Sequence, residues 1–372
     1  MAALKNTPIV EYHIELGAKM VPTSGWNMPL HYGEGIIAEH RHTRKACSVF
    51  DMCHKGEFRI AGPEAVRAMD RILARPVADL PVGGCRYNFL LADDGGVQDD
   101  LLAFRMADDD LFLVVNAGNT LADANWIRER LPERGAEFYD LSADIAMLDL
   151  QGPRSADVLL ELGMKLSDLP GHFHVSLADL DGIRCIISRT GCTGELGFEI
   201  YFDAEYADQL WDLFLSTDPV MPAGLGARDT LRLEMGYPVH DHELHREWSP
   251  FDSGAGSLID LESERDFIGK AALLQRKATR QLIAVELEGR RASRPGSAVL
   301  NECAEIIGVV TSGSFCPTLE KAAALCSIEI DCAKVPGDRV LLEAGDVRLP
   351  GTVVERPFYR NGTAKEKLEP EA

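Results

Sequence analysis

No apolar run in this chain of 372 residues approaches the ~20 needed to cross a bilayer as a helix, so no membrane contact is expected. Clustered positive charge is also missing. Lys and Arg number 38 against 59 Asp and Glu, a net charge of −21. The densest basic stretch, Arg41-His-Thr-Arg-Lys45, fits one face of a short helix. Nucleic-acid backbones are held by clusters of cations, so no nucleic-acid partner is expected. The nine cysteines, at 47, 53, 85, 185, 192, 303, 316, 326 and 332, include no CxxC pair and are odd in number. That argues against a disulfide framework and for a reducing compartment. The N-terminal MAALKNTPIVEYH has neither a basic n-region nor an apolar h-region. The expected location is the cytoplasm of a bacterium, or a mitochondrial matrix if a presequence was removed. His240-Asp-His-Glu-Leu-His245 is dense in potential ligands but lacks the His-x-x-x-His spacing of a helical metal site. It reads as a polar loop, and no metal is expected.

What is present is ample apolar material, 46% of residues, in a chain long for one core. Residues 1–57 form a lead-in, with turn-rich stretches at 17–22 and 25–29 and a helix from Ile36 to Cys47. A strand at Phe58–Ile60, a helix over Pro63–Leu73, a hairpin and a helix over Thr120–Leu131 make an α+β unit. From Ala146 the order renews: strand, helix at Ser155–Leu162, strands at Cys185–Ser188 and Gly197–Tyr201, helix at Tyr206–Phe214. This order hints at duplicated topology. From about Leu282, short β-rich runs alternate with Gly and Pro turns, the texture of a small barrel or sandwich. The polar tail after Phe358 is expected to fray.

The chain is organised around Tyr87–Asn116, two apolar β-rich runs joined through Gly95-Gly96. Asp99 and Asp100 follow that turn directly. Successive strand side chains point to opposite faces, so only one of these acids can face a shared pocket. An acid heading an apolar run is costly to bury without a partner, and such burial is how a site tunes a carboxylate. A solvated pair capping a hairpin is the plainer alternative. Gly191-Cys-Thr-Gly-Glu-Leu-Gly-Phe-Glu199 is a tight turn leading into a strand acid. Glu199 suits bidentate acceptance from an aminopyrimidine edge, or else lies on the surface. Arg228, Arg232 and Met235 share one face of a helix over 226–236. Arg232 there meets either a ligand carboxylate or a structural acid. Thr311–Leu319 reads as a polar loop of the β domain. Asn116, ending an apolar strand, either bonds a ligand or caps the next turn.

Taken in order, these stretches resemble the aminomethyltransferase family, the T-protein of the glycine cleavage system. The resemblance runs from Thr7 to Tyr359. It rests on KMV (19–21), GWNMP (25–29), YGEGIIAEH (32–40), FDMCHKGEF (50–58), GGVQDDL (95–101), LVVNAG (113–118) and LQGP (150–153). It continues through TGCTGELGFEIY (190–201), GLGARDTLRLEMG (224–236), DFIGKAAL (266–273) and RPFYR (356–360). The resemblance implies an α+β fold in a three-domain clover-leaf. Residues 1–57 with 141–275 would form a discontinuous folate-binding domain, 58–140 a second α+β domain and 276–362 a small β-barrel or jelly-roll-like domain. Residues 363–372 would be a frayed tail.

It further implies an enzyme that takes the aminomethyl group on the lipoyl arm of a partner H-protein. The one-carbon unit passes to tetrahydrofolate and ammonia is released. Asp100 matches the carboxylate beside the folate nitrogens, orienting or polarising them rather than attacking. Glu199 matches the residue gripping the pterin; Tyr87, Asn116, Leu102 and Val114 match the ring's walls. Arg232 matches the arginine of the helix motif. Four departures lie near the ligand, one of them Phe104 where a tyrosine follows the Asp-Asp strand. Lys55 stands where an apolar residue normally flanks the pterin. Cys192 replaces the tyrosine of Gly-Tyr-Thr-Gly-Glu, and His240-Asp-His-Glu243 replaces Tyr-Gly-His-Asp. They keep two alternatives in view: a folate-dependent demethylase of a small methylated amine, sulfonium or aryl ether, and a non-catalytic folate-binding accessory protein.

Overall fold

The computed structural model describes residues 3–368. Two antiparallel-rich sheets share one connection pattern. In the first, the strand Gly56–Ala61 leads through a helix, Ala65–Ile72, to three consecutive antiparallel strands, Cys85–Leu91, Val97–Ala107 and Asp110–Val115. The last of these pairs back onto Gly56–Ala61. In the second, Ile145–Gln151, the helix Ser155–Glu161 and the strands Val175–Leu180, Ile183–Ser188 and Gly197–Asp203 repeat the same path and closure. The duplication hinted at by element order is therefore present in the strand order. Edge strands differ: Glu137–Asp140 completes the first sheet, whereas Cys47–Asp51 and Val220–Pro222 extend the second.

Strand alternation gives the five-stranded sheet two faces with different jobs. Phe58, Ile60, Leu101, Ala103, Leu113 and Val115 pack on the helices Ala65–Ile72 and Thr120–Arg128. The opposite face carries Phe104, Phe112 and Val114, which pack with Phe50, Met147 and Tyr201 of the six-stranded sheet. Tyr201 meets Phe104 and Phe112 edge-on, with ring centroids 5.9 and 5.4 Å apart. This inter-sheet seam holds the candidate site.

The C-terminal part is a closed six-stranded barrel, with Arg280–Leu287 and Val347–Val354 closing the ring. The helix Leu225–Glu234 links barrel and sheets. His40 bridges Thr230 of that helix and Thr318 of the barrel, 2.8 Å to each.

Three expectations are corrected. The turn-rich lead-in forms strands, Lys19–Thr23 and Trp26–His31, in a small sheet with Lys5–Asn6. Pro29 is tolerated because the Lys5–Asn6 strand pairs only with Trp26 and Asn27 and a bulge at Leu30 adjoins it on its own strand. The supposed loop over 311–319 is a strand as far as Cys316, part of Ile306–Cys316. Its polar residues misled because their hydroxyls are satisfied inside the fold: Thr311 donates to the Leu325 carbonyl, and Ser312 accepts from Arg232. The tail is tied down through its described part. Thr363 bonds Glu195 and the Leu196 amide, and Arg189 reaches the carbonyls of Ala364 and Glu366. Residues 369–372 of that expected frayed tail lie outside the described residues.

Candidate active site

Cross-strand register builds one wall. Tyr87, Leu102, Val114 and Glu57 sit directly opposite one another across four neighbouring strands, so all four point to the seam. Asp100, two residues before Leu102, shares that face, while Asp99 points to the other. Gly96 is required at the turn before them: a Cβ there would stand 1.9 Å from the Arg246 carbonyl oxygen.

Asn116 ties the acids together. Its Nδ2 donates to Asp99 Oδ1 at 2.8 Å and to Asp100 Oδ1 at 3.0 Å, while its Oδ1 accepts from Lys55 Nζ at 2.7 Å. The backbone amide of Asn116 adds a 3.0 Å bond to Asp99 Oδ2. Burial and the neighbouring Asp99 push the Asp100 carboxyl up to about 6. Lys55, His240 and the Tyr87 hydroxyl beside it oppose that rise. The Tyr87 hydroxyl is buried and lacks a fully formed hydrogen bond. His54, next to Lys55, is driven down to about 3 by burial and is neutral.

The facing sheet supplies a second row: Ser188, Glu199, Asp149 and Phe50 are register partners. Glu199 Oε2 accepts from Tyr201 at 3.0 Å and from Thr190 at 2.5 Å. Arg228 Nε reaches Asp149 Oδ2 at 3.3 Å, and Asp149 and Glu199 both favour its charged form. Burial raises Asp149 to about 7 despite Arg228. Burial also raises the Cys192 thiol, again opposed by Arg228. The glycine turn can pass this close because Gly194 has φ +83° and abuts Met235.

The arrangement brings Asp100, Tyr87, Asn116, Leu102, Val114 and Lys55 onto one wall, with Glu199 on the sheet facing it and Cys192 beside Arg228. Arg232 is different. Its guanidinium is engaged by Asp229, by Ser312 Oγ at 3.0 Å, by Glu243 at 3.5 Å and by the Tyr237 carbonyl at 3.3 Å. It locks the helix to the barrel, and Arg228 is the arginine beside Glu199. Asp149 was not singled out from sequence, although strand alternation in Met147-Leu-Asp-Leu-Gln places Met147, Asp149 and Gln151 on one face. Asn119 and Asp123 were missed for a plainer reason: they read as helix-start residues.

Residues 9–263 match the GCVT N-terminal domain, and residues 280–360 match the glycine cleavage T-protein C-terminal barrel domain. The chain belongs to the glycine cleavage T-protein family. An aminomethyltransferase of Symbiobacterium thermophilum is 40% identical over 371 residues, covering 96% of this chain and 98% of that one. One of Cutibacterium acnes is 37% identical over 372 residues, covering 97% and 100%. The crystal structure of glycine cleavage system aminomethyltransferase T from Bartonella henselae superposes with a TM-score of 0.90 at 32% identity, covering 97% of this chain and 99% of that one. Membership makes this T-protein-family chain an enzyme of the aminomethyltransferase class. It also favours that activity over the demethylase and accessory readings. No helix among the described residues is long and apolar enough to cross a membrane.

Proposed function

We propose that the chain transfers the aminomethyl carbon from the lipoyl arm of an H-protein to tetrahydrofolate, releasing ammonia. The observation that carries this is the placing of a carboxylate held by Asn116, Asp100, on one sheet and a hydrogen-bonded acceptor, Glu199, on the sheet facing it. The residues fit a reduced pterin. Glu199, fixed by Tyr201 and Thr190, accepts N–H donors from an aminopyrimidine edge. Leu102 and Val114 offer the flat apolar wall, with Tyr87 at its end and the Asn116 amide beside it. Tetrahydrofolate supplies the nucleophilic nitrogens that receive the carbon.

The protein's own contribution is orientation and charge. Asp100, held by Asn116, lies where positive charge develops on the transferring carbon. A carboxyl tuned to about 6 is ionised at neutral pH and can still accept a proton. Lys55 holds Asp100 toward its charged form and Arg228 sets the charge beside Glu199. Cys192 fills the place of a bulkier tyrosine with a neutral thiol. Glu199→Ala tests the pterin role: tetrahydrofolate affinity measured by calorimetric titration should fall at least tenfold, and wild-type affinity would remove Glu199 from the pterin.

A further inference from the structure

Behind Asp100 stands a second acid that takes no direct part in the chemistry. Asp123, on the helix Thr120–Arg128, is fully buried one turn after Asn119, whose Nδ2 bonds Asp99, itself fully buried. Two ionised carboxylates are acceptors only and repel each other in a buried pocket, so one of the two holds a proton. Its place follows from the donors. Asp99 accepts from the Asn116 amide at 3.0 Å, from Asn116 Nδ2 at 2.8 Å and from Asn119 Nδ2 at 2.9 Å. Among the described residues, Asp123 receives no donor on either oxygen. A buried carboxylate with three donors holds its charge; one with none does not.

We propose that Asp123 is a protonated positioning residue that donates to Asp99 and thereby fixes the amides of Asn116 and Asn119, which hold Asp100 and His240. Burial and the adjacent Asp99 push the Asp123 carboxyl up to about 11, in keeping with this. The consequences run outward along two arms. Asn116 has its nitrogen toward the acids and its oxygen toward Lys55, so neither flip of the amide is free. Asn119 must likewise point its NH₂ at Asp99, and the same nitrogen lies 3.1 Å from His240 Nδ1. The same Nδ1 also lies 3.2 Å from Asp241 Oδ1, so Asn119 and Asp241 together hold the ring. His240 Nε2 is buried beside Asp100 without a hydrogen-bond partner among the described residues. A tyrosine in the family pattern is thus replaced here by a histidine whose ring is held through Asn119.

The role in turnover rests on the aminomethyl-transfer reading; the proton's location does not. Infrared difference spectra of wild-type minus Asp123→Asn, without substrate, should show loss of one protonated-carboxyl C=O band. In the same buffer Asp123→Ala should lower kcat for folate-dependent ammonia release about tenfold or more with little change in KM for tetrahydrofolate. Asp123→Asn, which supplies an N–H in place of the O–H, should recover most of that loss. No band lost, or an Asn variant as impaired as Ala, overturns the proposal. Should wild-type itself release no ammonia, the functional reading fails, and the infrared band alone decides where the proton lies.

Discussion

Replacing Lys55 by methionine should move the acid limb of the pH–rate profile upward. Lys55 Nζ lies 2.7 Å from Asn116 Oδ1, and Asn116 Nδ2 lies 3.0 Å from Asp100 Oδ1. An amide spans about 2.2 Å from oxygen to nitrogen, so the two charges stand no more than about 8 Å apart. At an effective dielectric of about 20, a pair at that separation attracts by about 2 kcal/mol. That corresponds to about 1.5 pKa units, which partial exposure of the lysine and salt reduce to about one. The sign is fixed. The ammonium favours ionised Asp100, so its removal raises a carboxyl already at about 6 toward about 7. Activity that needs the carboxylate is then lost at a higher pH as the solution is acidified. At pH ~6.5 the ionised fraction falls from about three quarters to about one quarter, while above pH ~8 the two proteins converge. The assay is kcat/KM for ammonia release across the pH range at constant ionic strength. An unmoved limb, or one displaced downward, would refute the coupling between Lys55 and Asp100.

Asp100→Asn should leave tetrahydrofolate affinity within about threefold and cut turnover by about a hundredfold or more; single-turnover kinetics beside a binding titration would separate the two. Arg228→Ala strips a buried carboxylate, Asp149, of its cation. Urea unfolding above pH ~8, where a carboxyl at about 7 is largely ionised, should show a loss of about 3 kcal/mol, together with weakened folate binding; an unchanged midpoint there would mean that Asp149 is not charged in the fold.

Much of the fold was legible because apolar residues recur at the right period. Phe58, Ile60 and the Leu111–Val115 run announce strands, and the same alternation separates the helix-facing side from the seam. Thr311 and Ser312 were illegible for the opposite reason. Their partners, the Leu325 carbonyl and Arg232, come from elements distant in sequence, and polarity alone suggested a loop. The site shows the same division. Asp100 could be chosen over Asp99 only through the family motif, since alternation says that one acid faces the pocket without saying which. Arg232 and Arg228 share a helix face, and only packing reveals that Asp229, Glu243 and Ser312 engage the former. Asp123 carried no signal in the sequence. An aspartate in the first turn of a helix is ordinarily a solvated residue favoured by the helix dipole, and its burial against Asp99 is a tertiary fact.

The central claim is aminomethyl transfer to folate from a lipoyl-bearing protein. The direct measurement mixes the purified chain with tetrahydrofolate and aminomethylated lipoyl H-protein and follows ammonia. Release that needs both partners and vanishes when either is withheld is the predicted result. Folate binding without ammonia release, accompanied by loss of a methyl group from a small methylated amine, would contradict it.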